Sequence, residues 1–345
     1  MGTYANARRM RGNPTRRRLL KASAATVTGL GLVGSASADT DVGDVDPEQI
    51  PVRTFRPGEL QTETVAPAAV PEGADGIRPG SQMFIEYPDG TTAGCTANFV
   101  WRDDTGGSGG NGGGGPPEFA RDGGNGDGGG DLYIGAAGHC FLPADKNASK
   151  NAKRKEEDQD DVYDIGQLDV SVCADCTRGG LNGLVIKGDT IALGDVVYAR
   201  RRLPDGSAVG HDFGLVKIPA EAEELADPSM PQWGGPDGSL DGAAPPGSPV
   251  NQYGAGVGNG EVFPTMGSAG GSFGDGGTDG DAWFAGIRAS PGDSGSPLVG
   301  DRSIERPAAG ILTHLTPLGT AGTTIGRCRE MTAEDINLDV AVDMP

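Results

Sequence analysis

Short apolar segments separated by glycine-rich turns recur along this chain, and they limit the folds that are open to it. Glycine contributes 61 of the 345 residues, and 36% of the residues are hydrophobic. Glycine favours turns, and short stretches rich in β-branched and aromatic residues between such turns are typical of antiparallel strands. The pattern therefore predicts an all-β sandwich or barrel with a lean but sufficient core.

The predicted strands fall into two groups. A stretch rich in Ala, Glu, Pro and Gly, residues 219–247, is expected to connect two halves of the molecule. The predicted strands are residues 83–87, 93–100, 132–134, 162–172, 184–186, 196–200, 213–218, 250–257, 261–263, 281–287, 296–299 and 308–315.

Two insertions interrupt the predicted first half. Residues 104–130 are nearly all Gly, Asn, Asp, Ser and Pro, a composition that cannot bury a core and predicts a surface loop. Residues 145–161 mix charges of both signs and are expected to form a solvated loop or a short exposed helix. This second insertion contains a glycosylation sequon at Asn147.

Residues 1–38 are predicted to be a twin-arginine export signal. The sequence Thr-Arg-Arg-Arg-Leu-Leu-Lys at 15–21 precedes a small-residue apolar run at 22–33, and Ala-Ser-Ala at 36–38 fits a cleavage site. The alternative is a weak membrane anchor, but a span takes ~20 apolar residues. We therefore expect an exported, soluble monomer without stable membrane insertion.

The segment that follows the leader has little periodicity. Residues 39–80 are rich in Pro, Glu, Asp and Thr. Such a composition predicts a disordered linker or a pro-segment that restrains the rest of the chain. The sequence does not choose between these two interpretations.

The chain is strongly acidic. Its formal net charge is -20, although the first 38 residues contain seven cations and no acid. Nucleic acid is an improbable partner for such a surface. Lysine is scarce as well, and an acidic, lysine-poor surface is typical of a salt-adapted protein because carboxylates hold water and salt screens their repulsion. The alternative is an ordinary acidic secreted protein.

Three short motifs carry residue types that nucleophilic catalysis needs. They are Gly-Asp-Ser-Gly-Ser-Pro at 292–297, Ala-Ala-Gly-His-Cys at 136–140 and Asp-Phe-Gly-Leu-Val at 212–216. A serine hydroxyl needs an imidazole to take its proton and a carboxylate to orient that imidazole. In a glycine-rich chain the serine motif alone would more often mark a loop. The presence of the other two motifs favours a catalytic serine instead.

Together the three motifs resemble those of the chymotrypsin/trypsin-like serine peptidases. The chain order His139, Asp212, Ser294 separates this family from subtilisins and α/β-hydrolases. The resemblance covers residues 81–345. It implies two six-stranded antiparallel β-barrels, at 81–222 and 223–345, with the active site in the cleft between them.

The resemblance also implies a reaction and a role for each residue. Ser294 attacks the scissile carbonyl, His139 takes its proton and passes it to the leaving amine, and Asp212 orients the imidazole. The amides of Gly292 and Ser294 form the oxyanion hole, an effect worth ~10²–10³ in rate per donor. The expected activity is that of a secreted endopeptidase that cleaves proteins or peptides through an acyl-enzyme, with no cofactor and no metal.

The residues that the resemblance assigns to the substrate pocket give little indication of specificity. An arginine at 288 disfavours cleavage after Lys or Arg. His314 suggests a preference for acidic residues, and plain packing within a strand is the alternative for this histidine. The assigned pocket residues are Arg288, Ser290, Thr313, His314 and Leu315.

The cysteines of an exported chain are expected to form disulfides. The resemblance implies a bridge between Cys95 and Cys140 that steadies the histidine. Cys173 and Cys176 could form a local disulfide, half of a zinc site or a redox pair, and we favour the local disulfide. Cys328 is then left over.

Two rival function classes remain compatible with these motifs. One is a secreted binding protein on an inactive or masked peptidase scaffold. The other is an esterase that uses the same three residues.

In relatives, the aspartate before the serine, here Asp293, is buried against a cation, and the sequence does not identify that cation.

Overall fold

Strands dominate the computed structural model, which describes residues 47–104, 130–142, 165–179, 185–202, 209–258, 263–301 and 305–345. The predictions for residues 1–38, the interior of the glycine-rich insertion and the charged insertion with Asn147 lie outside these ranges. The strands are β1 (Glu48–Gln49), β2 (Arg53–Thr54), β3 (Leu60–Val65), β4 (Gln82–Glu86), β5 (Thr92–Thr96), β6 (Val100–Asp103), β7 (Leu132–Ala136), β8 (Asp169–Gly179), β9 (Val185–Ala192), β10 (Val196–Arg200), β11 (Phe213–Lys217), β12 (Pro249–Gly258), β13 (Phe263–Gly274), β14 (Ala282–Ala285), β15 (Pro297–Gly300), β16 (Ala308–Thr316), β17 (Gly319–Thr324) and β18 (Val340–Val342). The α-helices are α1 (Gly138–Phe141) and α2 (Ile325–Ile336).

The second half forms a closed six-stranded antiparallel barrel. Its strands follow the order β16-β15-β12-β13-β14-β17, and β17 pairs back onto β16 to close the ring. Trp283 fills the interior and donates its indole N–H to the Ile311 carbonyl at 3.1 Å. A Cβ at Gly310 would overlap the Trp283 ring, and one at Gly322 would overlap the Ile311 carbonyl. Glycine is therefore needed where two strands pass around this large side chain.

The first half places its strands in two sheets that share one core. One sheet has the order β2-β5-β4-β8-β9-β3, and the other has the order β10-β11-β7-β6-β18. The pairing is antiparallel except between β3 and β9. Alternate residues of these strands turn inward, as expected for half-buried strands. The shared core includes Met83, Ile85, Val100, Ile134, Val172 and Val216.

A further hydrophobic cluster joins the two halves. Phe99, Trp101 and Phe213 from the first half pack with Ile311 and Met331 from the second. The predicted all-β, two-barrel class is confirmed by the sheet order. The strand predictions that lie within the described residues also correspond to observed strands, with shifted ends.

Several elements were not predicted. Residues 48–65 form β1, β2 and β3, although this part of the chain was expected to be a linker or pro-segment. Strand β17 and helix α2 were also missed. Strand β18, near the C-terminus, pairs with β6 of the first half rather than with the second barrel.

Candidate active site

The fold brings the three motifs together, so that their histidine, aspartate and serine form a hydrogen-bonded chain. His139 Nδ1 lies 2.6 Å from Asp212 Oδ2, and His139 Nε2 lies 2.9 Å from Ser294 Oγ. The aspartate and the serine are fully buried, and the histidine is 5% exposed. This is the arrangement in which an imidazole can take the serine proton while a carboxylate stabilises the resulting imidazolium.

Helix α1, only four residues long, positions the imidazole directly after β7. Gly138 lies so close to the chain that a Cβ there would overlap the carbonyl of Arg200. A disulfide between Cys95 and Cys140 ties the helix to β5, with Cα atoms 6.5 Å apart. The Cys140 carbonyl also accepts a hydrogen bond from the Tyr87 hydroxyl at 2.5 Å. The histidine therefore lies on a short element fixed from two sides.

Asp212 holds His139 through both backbone and ring. Its Oδ1 accepts the backbone N–H of His139 at 2.9 Å, while Oδ2 faces the ring. Thr323 fixes the aspartate in turn, because its hydroxyl contacts the Asp212 backbone N–H at 3.2 Å and carbonyl at 3.0 Å. A carboxylate that accepts from Nδ1 leaves Nε2 facing the serine as the base.

The serine lies on a tight turn between two glycines with left-handed backbone. Gly292 has φ +92° and Gly295 has φ +93°, conformations that residues with a Cβ rarely adopt. The Gly295 N–H donates to the Leu312 carbonyl at 2.7 Å, and the Ser294 carbonyl accepts from the Thr96 N–H at 2.9 Å. The turn is thus attached to both halves of the molecule.

Asp293 is the buried carboxylate beneath this turn. It accepts the N–H groups of Gly256 and Ser290, each at 2.7 Å. Burial raises its pKa to about 6, against the opposing effect of these hydrogen bonds and of the Arg178 charge. Arg178, on β8, donates to the Ala255 carbonyl and to Gln82 Oε1 at 2.8 Å. Arg178 is therefore a cation that acts on the buried aspartate.

The residues assigned to the substrate pocket differ in environment. Arg288 is exposed, Ser290 and Leu315 are half-buried, and Thr313 and His314 are buried. The His314 Nδ1 and the Thr313 hydroxyl are 2.7 Å apart. Burial lowers the pKa of His314 to about 4, so that its ring is neutral near pH 7.

A segment that the motifs did not indicate also enters the site. Strand β1 pairs with β16, and the next residue, Ile50, donates its N–H to the Thr313 carbonyl at 2.9 Å. Gln49 Nε2 donates to Asp212 Oδ2 at 3.1 Å, and the Ser294 hydroxyl lies within hydrogen-bond distance, 3.1 Å, of the Ile50 carbonyl oxygen. The only sequence signal for this contact was the possibility of a pro-segment.

The Gly292 amide, which the sequence predicts to belong to an oxyanion hole, is also engaged by this segment. Its N–H donates to the Pro51 carbonyl at 3.3 Å. An amide that is free to bind a developing oxyanion must aim at the carbonyl under attack. Here it is occupied by the carbonyl of the residue that follows Ile50.

The remaining cysteines are placed as follows. Cys173 and Cys176 form a disulfide on β8, which was the favoured pairing. Cys328 is a free thiol on α2, and burial raises its pKa.

Across the described ranges, no cluster of three or more His, Cys, Asp or Glu side chains could hold a metal ion. No described helix is long and apolar enough to cross a membrane.

Comparisons with known proteins give likenesses in structure only. No protein-family model and no curated protein matches the chain. Thermobifida fusca Protease A has 15% identity and a TM-score of 0.39, covering 77% of this chain and 99% of its own. Protease Anisep from Arthrobacter nicotinovorans has 10% identity and a TM-score of 0.43, covering 72% and 91%. Nocardiopsis protease has 14% identity and a TM-score of 0.37, covering 77% and 100%.

Proposed function

We propose that this chain is a serine endopeptidase that hydrolyses peptide bonds with Ser294, His139 and Asp212. The observation that carries the proposal is the continuous hydrogen-bonded path from Asp212 through His139 to the Ser294 hydroxyl. A buried carboxylate, an imidazole and a hydroxyl at these distances form a nucleophile, its base and the group that orients the base.

The proposed reaction has two stages. Ser294 Oγ attacks the carbonyl carbon of the substrate while His139 Nε2 takes the hydroxyl proton. The amides of Gly292 and Ser294 stabilise the oxyanion, and His139 then gives its proton to the leaving amine. A water molecule attacks the acyl-enzyme, again with His139 as base, and releases the acid and the free hydroxyl. Asp212 keeps the imidazole in one tautomer throughout.

The proposal includes secretion and peptide substrates. The two disulfides support an oxidising compartment. The twin-arginine leader, the acidic composition and the predicted monomer are consistent with an exported, salt-adapted enzyme. These parts of the proposal stay predictions from the sequence.

Chemical labelling of the serine tests this function. The full chain and its Ser294→Ala variant are treated in high salt with an organophosphonate and weighed, and digestion of denatured casein is followed in parallel. We expect one adduct on the chain with Ser294, formed slowly because the segment at Ile50 covers the hydroxyl, and none on the variant. Ser239→Ala, which alters an exposed serine, is the matched control and retains the adduct.

The result separates the rival functions. Labelling together with casein digestion supports the peptidase. Labelling with ester hydrolysis but no peptide cleavage supports the esterase. If the cleft-opened variants described below take no label although they are folded, the proposed function is wrong and the binding protein takes its place.

A further inference from the structure

The segment in the cleft pairs with β16 as an added antiparallel strand. Glu48 pairs with Leu315 and Gln49 with His314, antiparallel to β16. The N–H of Ile50 continues this ladder to the Thr313 carbonyl. Addition of a strand to a sheet edge is a common way for a protein to bind an extended peptide, since main-chain hydrogen bonds supply affinity for many sequences.

Ile50 lies where a substrate carbonyl would meet the nucleophile. Its carbonyl oxygen is 3.1 Å from Ser294 Oγ. The Ser294 hydroxyl is at the same time 2.9 Å from His139 Nε2. Ile50 therefore corresponds to the residue before the cut, and Pro51 corresponds to the residue after it.

The side chain of Ile50 is fully buried in an apolar cluster of the second barrel. Its fellow members include Trp283, Ile287 and Leu312. Of the residues first assigned to the pocket, Arg288 is exposed and so does not line this interior. In such an environment the burial of a methyl-bearing side chain lowers the free energy, whereas the burial of an unpaired charge raises it.

The segment continues across the cleft to the first half. Strand β2 pairs with β5, with Arg53 opposite Gly94 and Thr54 opposite Ala93. The N–H of Phe55 then donates to the Thr92 carbonyl at 3.0 Å. Residues 48–54 thus contact strands of both halves, and the catalytic serine beneath them has no exposed surface.

Two features oppose cleavage of the bond between Ile50 and Pro51. The Gly292 amide binds the Pro51 carbonyl, so that it does not stabilise an oxyanion on Ile50. Proline also replaces the small amide hydrogen with a ring carbon that crowds the preceding residue. The segment therefore binds like a substrate but lacks the geometry for reaction.

We propose that residues 48–54 occupy this chain's own substrate site, which makes it a latent peptidase whose pocket selects substrates with an aliphatic residue before the cut. This inference rests on the proposed function. It replaces the acidic preference considered for His314 with an apolar one, and it gives the segment before the first barrel an inhibitory role.

Opening the cleft tests the latency. In Ile50→Asp, a charge would enter the apolar cluster, and in Ile50→Gly the anchoring side chain is lost. We expect both full-length variants to react with the organophosphonate at least about tenfold faster than the unaltered chain, because the segment leaves the cleft. Gln61→Asp, which alters an exposed side chain on β3 outside the cleft, is the control and labels at the unaltered rate.

Specificity is tested on the opened variants. The substrates are peptides that differ only in the residue before the cut, which is Ile, Val, Leu, Phe, Arg or Glu. We expect kcat/KM for Ile and Val to exceed that for Glu and Arg at least about tenfold. A synthetic peptide with the sequence of residues 47–54 should inhibit cleavage, and the same peptide with Asp in place of Ile should inhibit at least about tenfold less.

The outcomes separate this inference from the proposed function. If the unaltered chain labels as fast as the opened variants, the latency is wrong although the peptidase stands. If the opened variants cleave best after Glu or Arg, the aliphatic pocket is wrong. Circular dichroism confirms that each variant is folded, and folded variants that neither label nor cleave overturn the proposed function itself.

Discussion

The two sides of the cleft hold the residues of the proposed active site by different means. On the side of the second barrel, backbone conformation positions Ser294. Gly292 and Gly295 both have left-handed φ angles, and the buried carboxylate of Asp293 ties the turn to the Gly256 amide. The serine therefore depends on a chain path that residues with a side chain rarely follow.

On the side of the first half, side-chain chemistry positions His139, the proposed base. Asp212 accepts both the backbone N–H and the ring of His139. The disulfide between Cys95 and Cys140 fixes the short helix that carries the histidine. Here the geometry depends on a few functional groups rather than on special backbone angles.

This difference predicts two kinds of sensitivity. Removal of one functional group on the histidine side should stop the chemistry while the fold persists. Addition of one methyl group on the serine side should disturb the fold and the chemistry together. The following variants separate the two, and those that measure activity carry Ile50→Asp so that the cleft is open.

The largest effect is expected for Asp212→Asn. The amide cannot accept both hydrogen bonds and favours the wrong tautomer of His139, so that kcat should fall by about 10³–10⁴-fold with little change in fold. Steady-state kinetics and circular dichroism measure the two quantities. Asp279→Asn, at an exposed position, should leave kcat unchanged. A similar loss in both variants would contradict the assigned role.

The serine side is tested by Gly295→Ala. Its Cβ would overlap the Thr96 carbonyl in a backbone conformation with φ +93°, so we expect a loss of stability of about 2–4 kcal/mol together with most of the activity. Gly277→Ala is the matched control, because it has φ +81° with open space around the added atom. It should cost only about 1 kcal/mol and leave activity intact. Equal losses would show that backbone angle alone, and not the site, is responsible.

The two disulfides differ in the length of chain that they close, and only the first lies beside His139. Paired Cys→Ala changes at Cys95 and Cys140 open a link with a sequence separation of 45, against 3 for Cys173 and Cys176. The longer link should contribute about 2–4 kcal/mol and the shorter one less, since the closed loop restricts the unfolded chain more. Urea unfolding in the Ser294→Ala background measures both without self-digestion. Loss of the first pair alone should also lower kcat.

The smallest effect is a pH dependence of stability from Asp293. Its pKa is raised from 3.8 to about 6 in the folded chain, so the folded state binds the proton more tightly than the unfolded state does. The resulting stabilisation is complete below about pH 3 and is lost as the pH rises through 6, on the order of 3 kcal/mol in total and about 2 kcal/mol between pH 4 and 7. The free energy of unfolding of Ser294→Ala, compared with Ser294→Ala/Asp293→Asn between pH 4 and 7, measures it. Parallel pH profiles would contradict this origin.

Much of the fold and the site could be predicted because their signals are local. Strands such as β4, β10 and β11 combine apolar residues with flanking turns, and each residue proposed as catalytic lies in a short motif. The buried serine turn also follows from its glycines. These features need little information from distant parts of the chain.

The missed features depend on distant partners. Strand β17 reads Gly-Thr-Ala-Gly-Thr-Thr and has no apolar alternation, and it is a strand because β14 and β16 lie on either side of it. Ile50 and Val52 are the only aliphatic residues within 46–54, and the burial of Ile50 requires β16 more than 250 residues further along. Local composition cannot report such contacts.

The pairing of β18 with β6 has a consequence for the order in which the molecule can be completed during synthesis. Val340–Val342 are synthesised more than 120 residues after the other strands of the sheet whose outer edge they cover. Until they arrive, the unpaired N–H and C=O groups of β6 remain open to other chains. A nascent chain truncated before residue 340 is therefore expected to associate with other chains through the edge of β6 rather than remain monomeric.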